Sequence, residues 1–199
     1  MNQQQPHTLP PPYFEKVYQA NADPWHFETS PYEHAKYANT LAALPRPLYG
    51  QAFEVGCSLG VLTEQLALRC EHLLAVDVAL EPLQRAQARC AHLPQVVFEQ
   101  MFLPVAFPRQ HNLDLVVLSE VGYYWDLADL TRVADGLLAR MVAGGQLLLV
   151  HWTPLVPDYP LTGDEVHAFF LHLATPQGPW QHLHGERHAT YRLDLLEKR

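Results

Sequence analysis

The sequence predicts an α/β fold: a Rossmann-like, doubly wound sheet of seven strands, mostly parallel, with an antiparallel C-terminal hairpin. Apolar runs of strand length alternate with helical patterns over residues 51–152. Such near-continuous apolar runs are typical of parallel strands that are covered on both faces. A glycine-containing turn follows the first run, and two strand-like segments joined by a short turn close the chain. These observations indicate five parallel strands and an antiparallel pair at one edge.

The composition of the 199-residue chain is that of a globular protein and argues against binding to nucleic acids or membranes. Its 13 basic and 21 acidic residues give a net charge of −8 with neutral histidines, and it has no block of Lys or Arg to contact a phosphate backbone. The longest apolar runs are too short to cross a bilayer. Three cysteines without a C-x-x-C pair favour reduced thiols, and we therefore expect a cytoplasmic location.

We expect one domain over residues 13–199, preceded by a disordered tail of residues 1–12. The tail is rich in Gln and Pro and lacks the features of a secretory signal. Within the domain, residues 13–45 are expected to be helical, residues 51–152 to form the ligand-binding core, and residues 153–199 to add a loop, a helix and the hairpin.

Turn residues and periodicity place the individual elements. Pro24 follows a short first helix, and Ser30 opens a second as its N-cap, with Glu33 completing a capping box. The fourth predicted strand is the one expected at the centre of the sheet. Gly144-Gly145 is interpreted as the stop of the helix before the fifth strand. The expected strands are residues 51–55, 73–77, 96–99, 113–119, 146–151, 180–184 and 189–196, and the expected core and C-terminal helices are residues 61–71, 81–92, 126–141 and 163–173.

The turn after the first strand reads Glu-Val-Gly-Cys-Ser-Leu-Gly and predicts a ligand site. Glycine at Gly56 and Gly60, with the small Ser58 between them, lets a ligand approach the backbone closely. The dinucleotide fingerprint G-x-G-x-x-G is not met, because Val61 stands where its last glycine belongs. Glu54 would repel a pyrophosphate and suits a cationic ligand. The turn resembles the first motif of S-adenosylmethionine-dependent methyltransferases of the Rossmann-like class.

Two further segments, at the ends of the second and third strands, supply candidates for contacts with such a cofactor. Asp77 ends the second strand about 20 residues beyond the turn, where an acid binds ribose hydroxyls in folds of this kind, and Val78 follows it. The segment after the third strand normally passes the adenine. Many methyltransferases place an Asp there, whereas this chain has Met101, so backbone groups and apolar packing by Phe102 or Leu103 would hold the base.

The ends of the fourth and fifth strands supply the candidates for the acceptor side. Ser119 is assigned to the cofactor site, and Glu120 is the acid best placed to face an acceptor. Glu120 has an equally acceptable structural role, as a carboxylate that binds the next loop. His151 can accept a proton near neutral pH, although a histidine at a strand end is often only hydrogen-bonded. Asp158 and His167 are second choices for the same task.

Two other chemistries are weighed and not favoured. Cys57 lies in the glycine turn, but no His–acid pair is tied to it, and a small turn residue is the simpler interpretation. His182, His184 and His188 form the densest histidine cluster, with the first two on one strand face. Without a nearby acid or Cys they are interpreted as solvent-facing residues of a hairpin, and no metal site is expected.

Together these motifs resemble the NodS family of nodulation N-methyltransferases and their bacterial relatives. NodS proteins use S-adenosylmethionine to methylate the free amine of a deacetylated chitooligosaccharide. The resemblance implies S-adenosylmethionine as cofactor, S-adenosylhomocysteine as product, and a small-molecule or oligosaccharide amine as acceptor, deprotonated by Glu120 or His151. It also implies that the N-terminal helices form a lid over the cofactor, with Trp25, Tyr32 and Lys36 in contact with it. The resemblance rests on residues 23–25, 29–37, 54–60, 119–124, 151–152, 158–167 and 191–194.

Three alternatives remain open from the sequence. An O-methyltransferase would need the same base, so the residues barely separate it from an N-methyltransferase. A non-catalytic S-adenosylmethionine-binding protein would keep the turn but lack an acid or base near the acceptor. A nicotinamide reductase is disfavoured by Val61, by Glu54 and by the absence of a second substrate domain. The oligomeric state is not predicted.

Overall fold

The computed structural model describes residues 7–199, and within them seven strands form one sheet. The strands are β1 Tyr49–Val55, β2 Cys70–Asp77, β3 Val96–Gln100, β4 Leu113–Ser119, β5 Met141–Trp152, β6 Trp180–Arg187 and β7 Tyr191–Lys198. The α-helices are α1 Pro11–Ala20, α2 Pro31–Ala42, α3 Val61–Leu66, α4 Leu80–Arg89, α5 Leu127–Leu138 and α6 Gly163–Leu173.

The strand order is β3-β2-β1-β4-β5-β7-β6. The first five strands are parallel to their neighbours, and β7 pairs antiparallel with both β5 and β6. The predicted fold class is confirmed, including the central position of β4. Strand order reverses between β1 and β4, and ligands of open α/β sheets bind at the carboxyl ends of strands at such a point.

Burial explains why the central strands are continuous apolar runs. Leu115 to Leu118 are all buried, and consecutive side chains of a strand point to opposite faces. Both faces of β4 are therefore covered, as the sequence pattern predicts. Each buried aliphatic side chain of this kind contributes about 1.5–3 kcal/mol relative to an exposed one.

The structure corrects the role of Gly144-Gly145. Helix α5 ends at Leu138, and both glycines lie inside β5, which is twelve residues long. Gly144 has φ +76°, and the β4–β5 register shifts at this point, so that Met141 pairs with Leu113 while Gln146 pairs with Leu115. The glycines permit an irregularity in the strand instead of stopping the helix.

The predicted tail of residues 1–12 is also corrected in part. Helix α1 begins at Pro11, and the two residues that precede Pro10 are tied to the loop and helix after β4. Leu9 N donates to Tyr124 O at 2.9 Å, and Thr8 Oγ1 donates to Asp129 Oδ2 at 2.5 Å. Residues 1–6 lie outside the described part of the chain. Among residues 7–199, no helix combines the length and the apolar character needed to cross a membrane.

Candidate functional site

A cavity of about 490 Å³ lies at the carboxyl ends of β1, β2 and β4, between the sheet and the N-terminal helices. This volume is within the usual range for a small-molecule site. The predicted site residues on its wall are Trp25, Tyr32, Lys36, Glu54, Gly56, Ser58, Asp77, Val78, Met101, Phe102, Ser119 and Glu120. Helices α1 and α2 form one side of it, as expected for a lid. Gly60 and His151 are not among the described residues that line it.

The glycine turn owes its shape to close contacts. Gly56 has φ +76°, and a Cβ there would lie 2.2 Å from Val121 Cγ1. Gly60 has φ +75° and caps α3, and its Cβ would lie 2.9 Å from Ala86 Cβ on α4. The prediction that Gly60 contacts the cofactor is therefore replaced by a packing role, because its missing side chain lets α3 approach α4.

Asp77 holds the turn against the end of β2. Its Oδ2 accepts a hydrogen bond from Ser58 N, and its Oδ1 accepts one from Ala79 N, each at 2.9 Å. Burial raises the pKa of Asp77, and these backbone hydrogen bonds oppose the rise. Asp77 also lines the cavity. The predicted ribose contact is compatible with this arrangement, and it stays a prediction.

Glu54 presents the most unusual group of the cavity wall. The residue is buried, and its Oε2 has no hydrogen-bond partner among the described residues. Burial raises the pKa of Glu54 to about 7, the charge of Asp77 adds to the rise, and the neighbouring Thr63 hydroxyl opposes it. An unpartnered buried carboxylate is costly unless a ligand supplies a donor or a positive charge. Glu54 therefore fits a cationic group at the glycine turn.

Cys57 shows no feature of a nucleophile. Its side chain is buried, and burial raises the pKa of the thiol well above its usual value, so that it stays neutral. A reactive cysteine needs an accessible thiolate. The structure thus supports the interpretation of Cys57 as a small residue of the turn.

The N-terminal helices touch the turn directly. Tyr18 of α1 lies with its hydroxyl 2.6 Å from Ser58 Oγ. Trp25 packs edge-on against Tyr18 and stacks on Phe27, with ring centroids 5.5 Å apart. Local sequence patterns could not reveal this contact of Tyr18 with the turn, because it joins segments 40 residues apart.

Lys36 of α2 is the centre of a buried ionic cluster in the cavity wall. Its Nζ lies 2.6 Å from Glu120 Oε1 and 2.8 Å from Glu33 Oε2. Only 3% of the residue is exposed. Burial lowers the pKa of Lys36, but the two carboxylates outweigh this effect and hold it above the ordinary value. Lys36 is therefore a permanent cation.

Glu120 is a cavity-wall residue whose carboxylate is already engaged. Beside Lys36, its Oε2 accepts hydrogen bonds from Tyr123 Oη at 2.6 Å and from Trp152 N at 2.9 Å. Its backbone is left-handed, with φ +59°. Three donors therefore occupy the oxygens of this carboxylate. The structure thus favours the structural role over the proposed role of proton acceptor.

The predicted proton acceptor His151 is contradicted by its position. The residue is fully buried, its Nε2 accepts from Gly122 N at 3.0 Å, and its Nδ1 lies 3.1 Å from His167 Nε2. Burial lowers the pKa of His151 well below its ordinary value, and the proximity of His167 and Lys36 adds to this. With both nitrogens occupied behind the cavity wall, His151 has no path to an acceptor. His167 is buried in the same way, and Asp158 is exposed outside the wall.

These histidines belong to a buried chain that joins β5, α6 and β7. Because His151 Nε2 accepts from Gly122, its proton is on Nδ1 and is donated to His167 Nε2. His167 then donates from Nδ1 to Asp194 Oδ2 at 2.6 Å. The carboxylate of Asp194 thereby sets the tautomers of both rings. This series of hydrogen-bonded side chains holds the loop after β4, which carries Glu120 and Tyr123.

The buried neutral His151 predicts an acid-sensitive fold. Its pKa lies below the value of about 6.5 in the unfolded chain. Its contribution to stability is complete above pH 6.5 and is lost as the pH falls below that value, because only the unfolded state then gains the proton. In His151→Gln, the fall in the free energy of unfolding from pH 7.5 to 5.5 should be smaller by about 1.4 kcal/mol, measured by urea titration.

The exposed His72 on β2 supplies the control, because His72→Gln should keep the wild-type dependence on pH. Glu54 acts in the opposite direction, since its raised pKa makes the folded state bind the extra proton. Its effect is common to all three proteins and cancels in the comparison. An unchanged pH dependence in His151→Gln would contradict the conclusion that His151 is buried in its neutral form.

The hairpin histidines are partnered by acids, which corrects the expectation that none lies nearby. His184 Nε2 and His188 Nε2 each lie 2.8 Å from an oxygen of Glu186, and His182 Nε2 lies 2.7 Å from Asp194 Oδ1. A register shift between His182 and His184 separates the two residues that were expected to share a face. Within residues 7–199, no group of three or more potential ligands is arranged to hold a metal ion.

Several known proteins are similar to this chain, and they share one family. The model of the family described as Nodulation protein S (NodS) matches residues 14–150. Nodulation protein S of Rhizobium tropici is 37% identical over 132 residues, which cover 63% of this chain and 53% of that protein. Nodulation protein S of Bradyrhizobium diazoefficiens is 35% identical over 64% of this chain and 61% of its own length. The chain thus spans a little over half the length of these curated relatives.

Solved structures share the fold over nearly the whole chain. A putative methyltransferase from Pseudomonas syringae has 37% identity and a TM-score of 0.72, covering 84% of this chain and 99% of its own. The N-methyltransferase NodS from Bradyrhizobium japonicum WM9, in complex with S-adenosylhomocysteine, has 20% identity and a TM-score of 0.80, covering 94% and 97%. The second likeness concerns the fold alone. The family model matches well over half of the residues of this chain. The chain therefore belongs to the NodS family.

Proposed function

We propose that this protein is an S-adenosylmethionine-dependent methyltransferase whose acceptor is a small amine, such as an amino sugar or a chitooligosaccharide. The observation that carries the proposal is the unpartnered, buried carboxylate oxygen of Glu54 beside the glycine turn. A dinucleotide pyrophosphate would be repelled there, whereas the ammonium of a methionine moiety supplies the missing donor. Membership of the NodS family supports the same cofactor.

Different residues of the cavity wall would contact different parts of the cofactor. Glu54 would face the methionine ammonium, Asp77 the ribose hydroxyls, and Met101 and Phe102 the adenine. When bound, S-adenosylmethionine supplies an activated methyl group on a sulfonium sulfur. The protein then chiefly orients the acceptor and excludes water. The aromatic side chains of the lid, such as Trp25, serve the second task.

The charge of the cavity favours a cationic acceptor. Four acidic side chains and one lysine line it: Glu33, Glu54, Asp77, Glu120 and Lys36. A cleft that is lined by one sign of charge concentrates ligands of the opposite sign. An amine that is protonated in solution matches this field better than a neutral alcohol or phenol. This observation favours N-methylation over O-methylation.

Calorimetry tests the cofactor assignment. The wild-type protein should bind S-adenosylhomocysteine and should not bind NAD. Glu54→Gln should weaken S-adenosylhomocysteine binding by about tenfold to a hundredfold, because it removes a charge-assisted hydrogen bond from the cofactor ammonium. Glu64→Gln, which changes a partly exposed acid of α3, is the matched control and should bind as the wild type does. A protein that binds NAD but not S-adenosylhomocysteine would refute the proposal.

The acceptor is tested by methyl transfer. S-adenosylhomocysteine formation is measured with glucosamine oligomers, simple amines and phenols at equal concentration. Turnover with amines above that with phenols supports the proposal. Turnover with phenols alone would establish the O-methyltransferase alternative.

A further inference from the structure

We infer that Glu33 is the carboxylate that binds the ammonium of the acceptor and removes its proton; this rests on the proposed function. Glu33 lies on α2, and its side chain lines the cavity instead of completing the capping box predicted for it. Ser30 Oγ does accept from Glu33 N, at 3.4 Å, but the Glu33 carboxylate turns inward to Lys36.

The hydrogen bonds of the cavity acids single out Glu33. Asp77 accepts from two backbone N–H groups, and Glu120 accepts from Lys36, Tyr123 and Trp152. Glu54 is free, but it lies at the glycine turn, where the cofactor is expected. Of these four acids, only Glu33 both has unused hydrogen-bond acceptor capacity and belongs to the lid.

The two carboxylate oxygens of Glu33 share a single partner, the ammonium of Lys36. Its Oε1 accepts from Lys36 Nζ at 3.1 Å, whereas its Oε2 lies 2.8 Å from the same nitrogen without a directed hydrogen bond. The residue is only 8% exposed. A buried carboxylate whose two oxygens share one donor group keeps acceptor capacity that an incoming ammonium can satisfy.

The charge of the ionic cluster supports the same occupant. Glu33, Lys36 and Glu120 together carry one net negative charge, and Lys36 is shared between two carboxylates. Because Glu120 has two further donors, Glu33 is the carboxylate of this cluster with fewer compensating partners. A protonated amine beside Glu33 makes the buried cluster neutral.

Proton removal by Glu33 prepares the acceptor amine for methyl transfer. The acceptor R–NH₃⁺ gives one proton to the Glu33 carboxylate, which becomes a neutral acid, and R–NH₂ is left with a free lone pair. The amine then forms the new N–CH₃ bond as the C–S bond of the sulfonium breaks, giving R–NH₂⁺–CH₃ and the neutral thioether. Glu33 returns its proton to solvent, so one proton is released per turnover.

The surroundings of Glu33 suit this exchange. Burial raises the pKa of the Glu33 carboxyl, and the negative charges of Glu120 and Asp23 add to the rise, while Lys36 lowers it. These groups face Glu33 from α2, from the loop after β4 and from the loop before α2. A carboxylate with a raised pKa is a better proton acceptor near neutral pH.

The test compares Glu33→Gln with Glu15→Gln, an exposed acid on α1 of the same lid. Three quantities are measured: affinity for S-adenosylhomocysteine, affinity for fully deacetylated chitotetraose, and turnover from pH 6 to 10. Glu33→Gln should bind S-adenosylhomocysteine as the wild type does, bind chitotetraose at least about tenfold more weakly, and turn over about 100-fold more slowly at neutral pH. Its turnover should recover at alkaline pH, where the amine is already deprotonated. Glu15→Gln should match the wild type throughout.

The recovery at high pH separates proton removal from a structural role, since a distorted lid would stay slow at every pH. Glu33→Asp, which keeps a shorter carboxylate, should fall between the wild type and Glu33→Gln, and it serves as the second variant if Glu33→Gln folds poorly. Wild-type binding of chitotetraose and turnover in Glu33→Gln would overturn the inference and leave the proposed function intact. Failure of the wild type to bind S-adenosylhomocysteine would overturn both.

Discussion

Replacing Asp77 with alanine is expected to abolish measurable S-adenosylhomocysteine binding. The Asp77 carboxylate accepts from the backbone N–H groups of Ser58 and Ala79, so that its loss frees the glycine turn and removes the predicted ribose contact together. Two buried donors are left without partners, and the free energy of unfolding should fall by about 2–4 kcal/mol. Calorimetry and urea titration measure the two effects.

Asp114 provides a matched control for this substitution. Its carboxylate accepts from Gly50 N and Gln51 N, each at 2.8 Å, and it lies at the start of β4, opposite the cavity end of the sheet. Asp114→Ala should lose a similar amount of stability and keep its affinity for S-adenosylhomocysteine. If Asp77→Ala bound the ligand as tightly as Asp114→Ala, the role of Asp77 in the site would be wrong.

Lys36→Met is expected to destabilise the fold by about 3–5 kcal/mol, because it leaves the buried Glu33 and the partly buried Glu120 without their shared cation. Methionine keeps most of the length and apolar contact of the lysine stem. The resulting repulsion between Glu33 and Glu120 should also loosen α2 from the sheet and weaken acceptor binding. The free energy of unfolding from urea titration at pH 7.5 gives the first effect.

Two comparisons isolate the buried charge in this result. Arg85→Met removes an ion pair to Glu28 in which both side chains are about one-third exposed, and it should cost about 1 kcal/mol or less. The double variant Lys36→Met with Glu120→Gln should recover part of the lost stability, since it relieves the repulsion. A cost for Lys36→Met no larger than that for Arg85→Met would contradict the description of the cluster as buried and tightly coupled.

Local patterns of residues were sufficient to predict the architecture and to identify residues that meet at the cavity beside the glycine turn. The apolar runs of β1, β2, β4 and β5 and the turn at Glu54–Gly60 depend on neighbouring residues, and so their positions could be read before any contact was known. Parallel strands all end at the same edge of the sheet, and this rule brought Glu54, Asp77 and Glu120 to one cavity. Helix and strand ends were less accurate, as the displaced role of Gly144-Gly145 shows.

The acceptor side could not be predicted in the same way, because the state of a carboxylate or an imidazole depends on groups far away in the chain. His151 carries the right ring for a base, but α6 and β7 bury it against His167 and Asp194. Glu120 lines the cavity, yet Lys36, 84 residues earlier, already occupies one of its oxygens. Glu33 has the local pattern of a helix cap, and only the packing of α2 on the sheet turns its carboxylate into the cavity. Local sequence chemistry was therefore enough to propose a ligand for the glycine turn, whereas burial and long-range partners determine how far each cavity acid is already engaged.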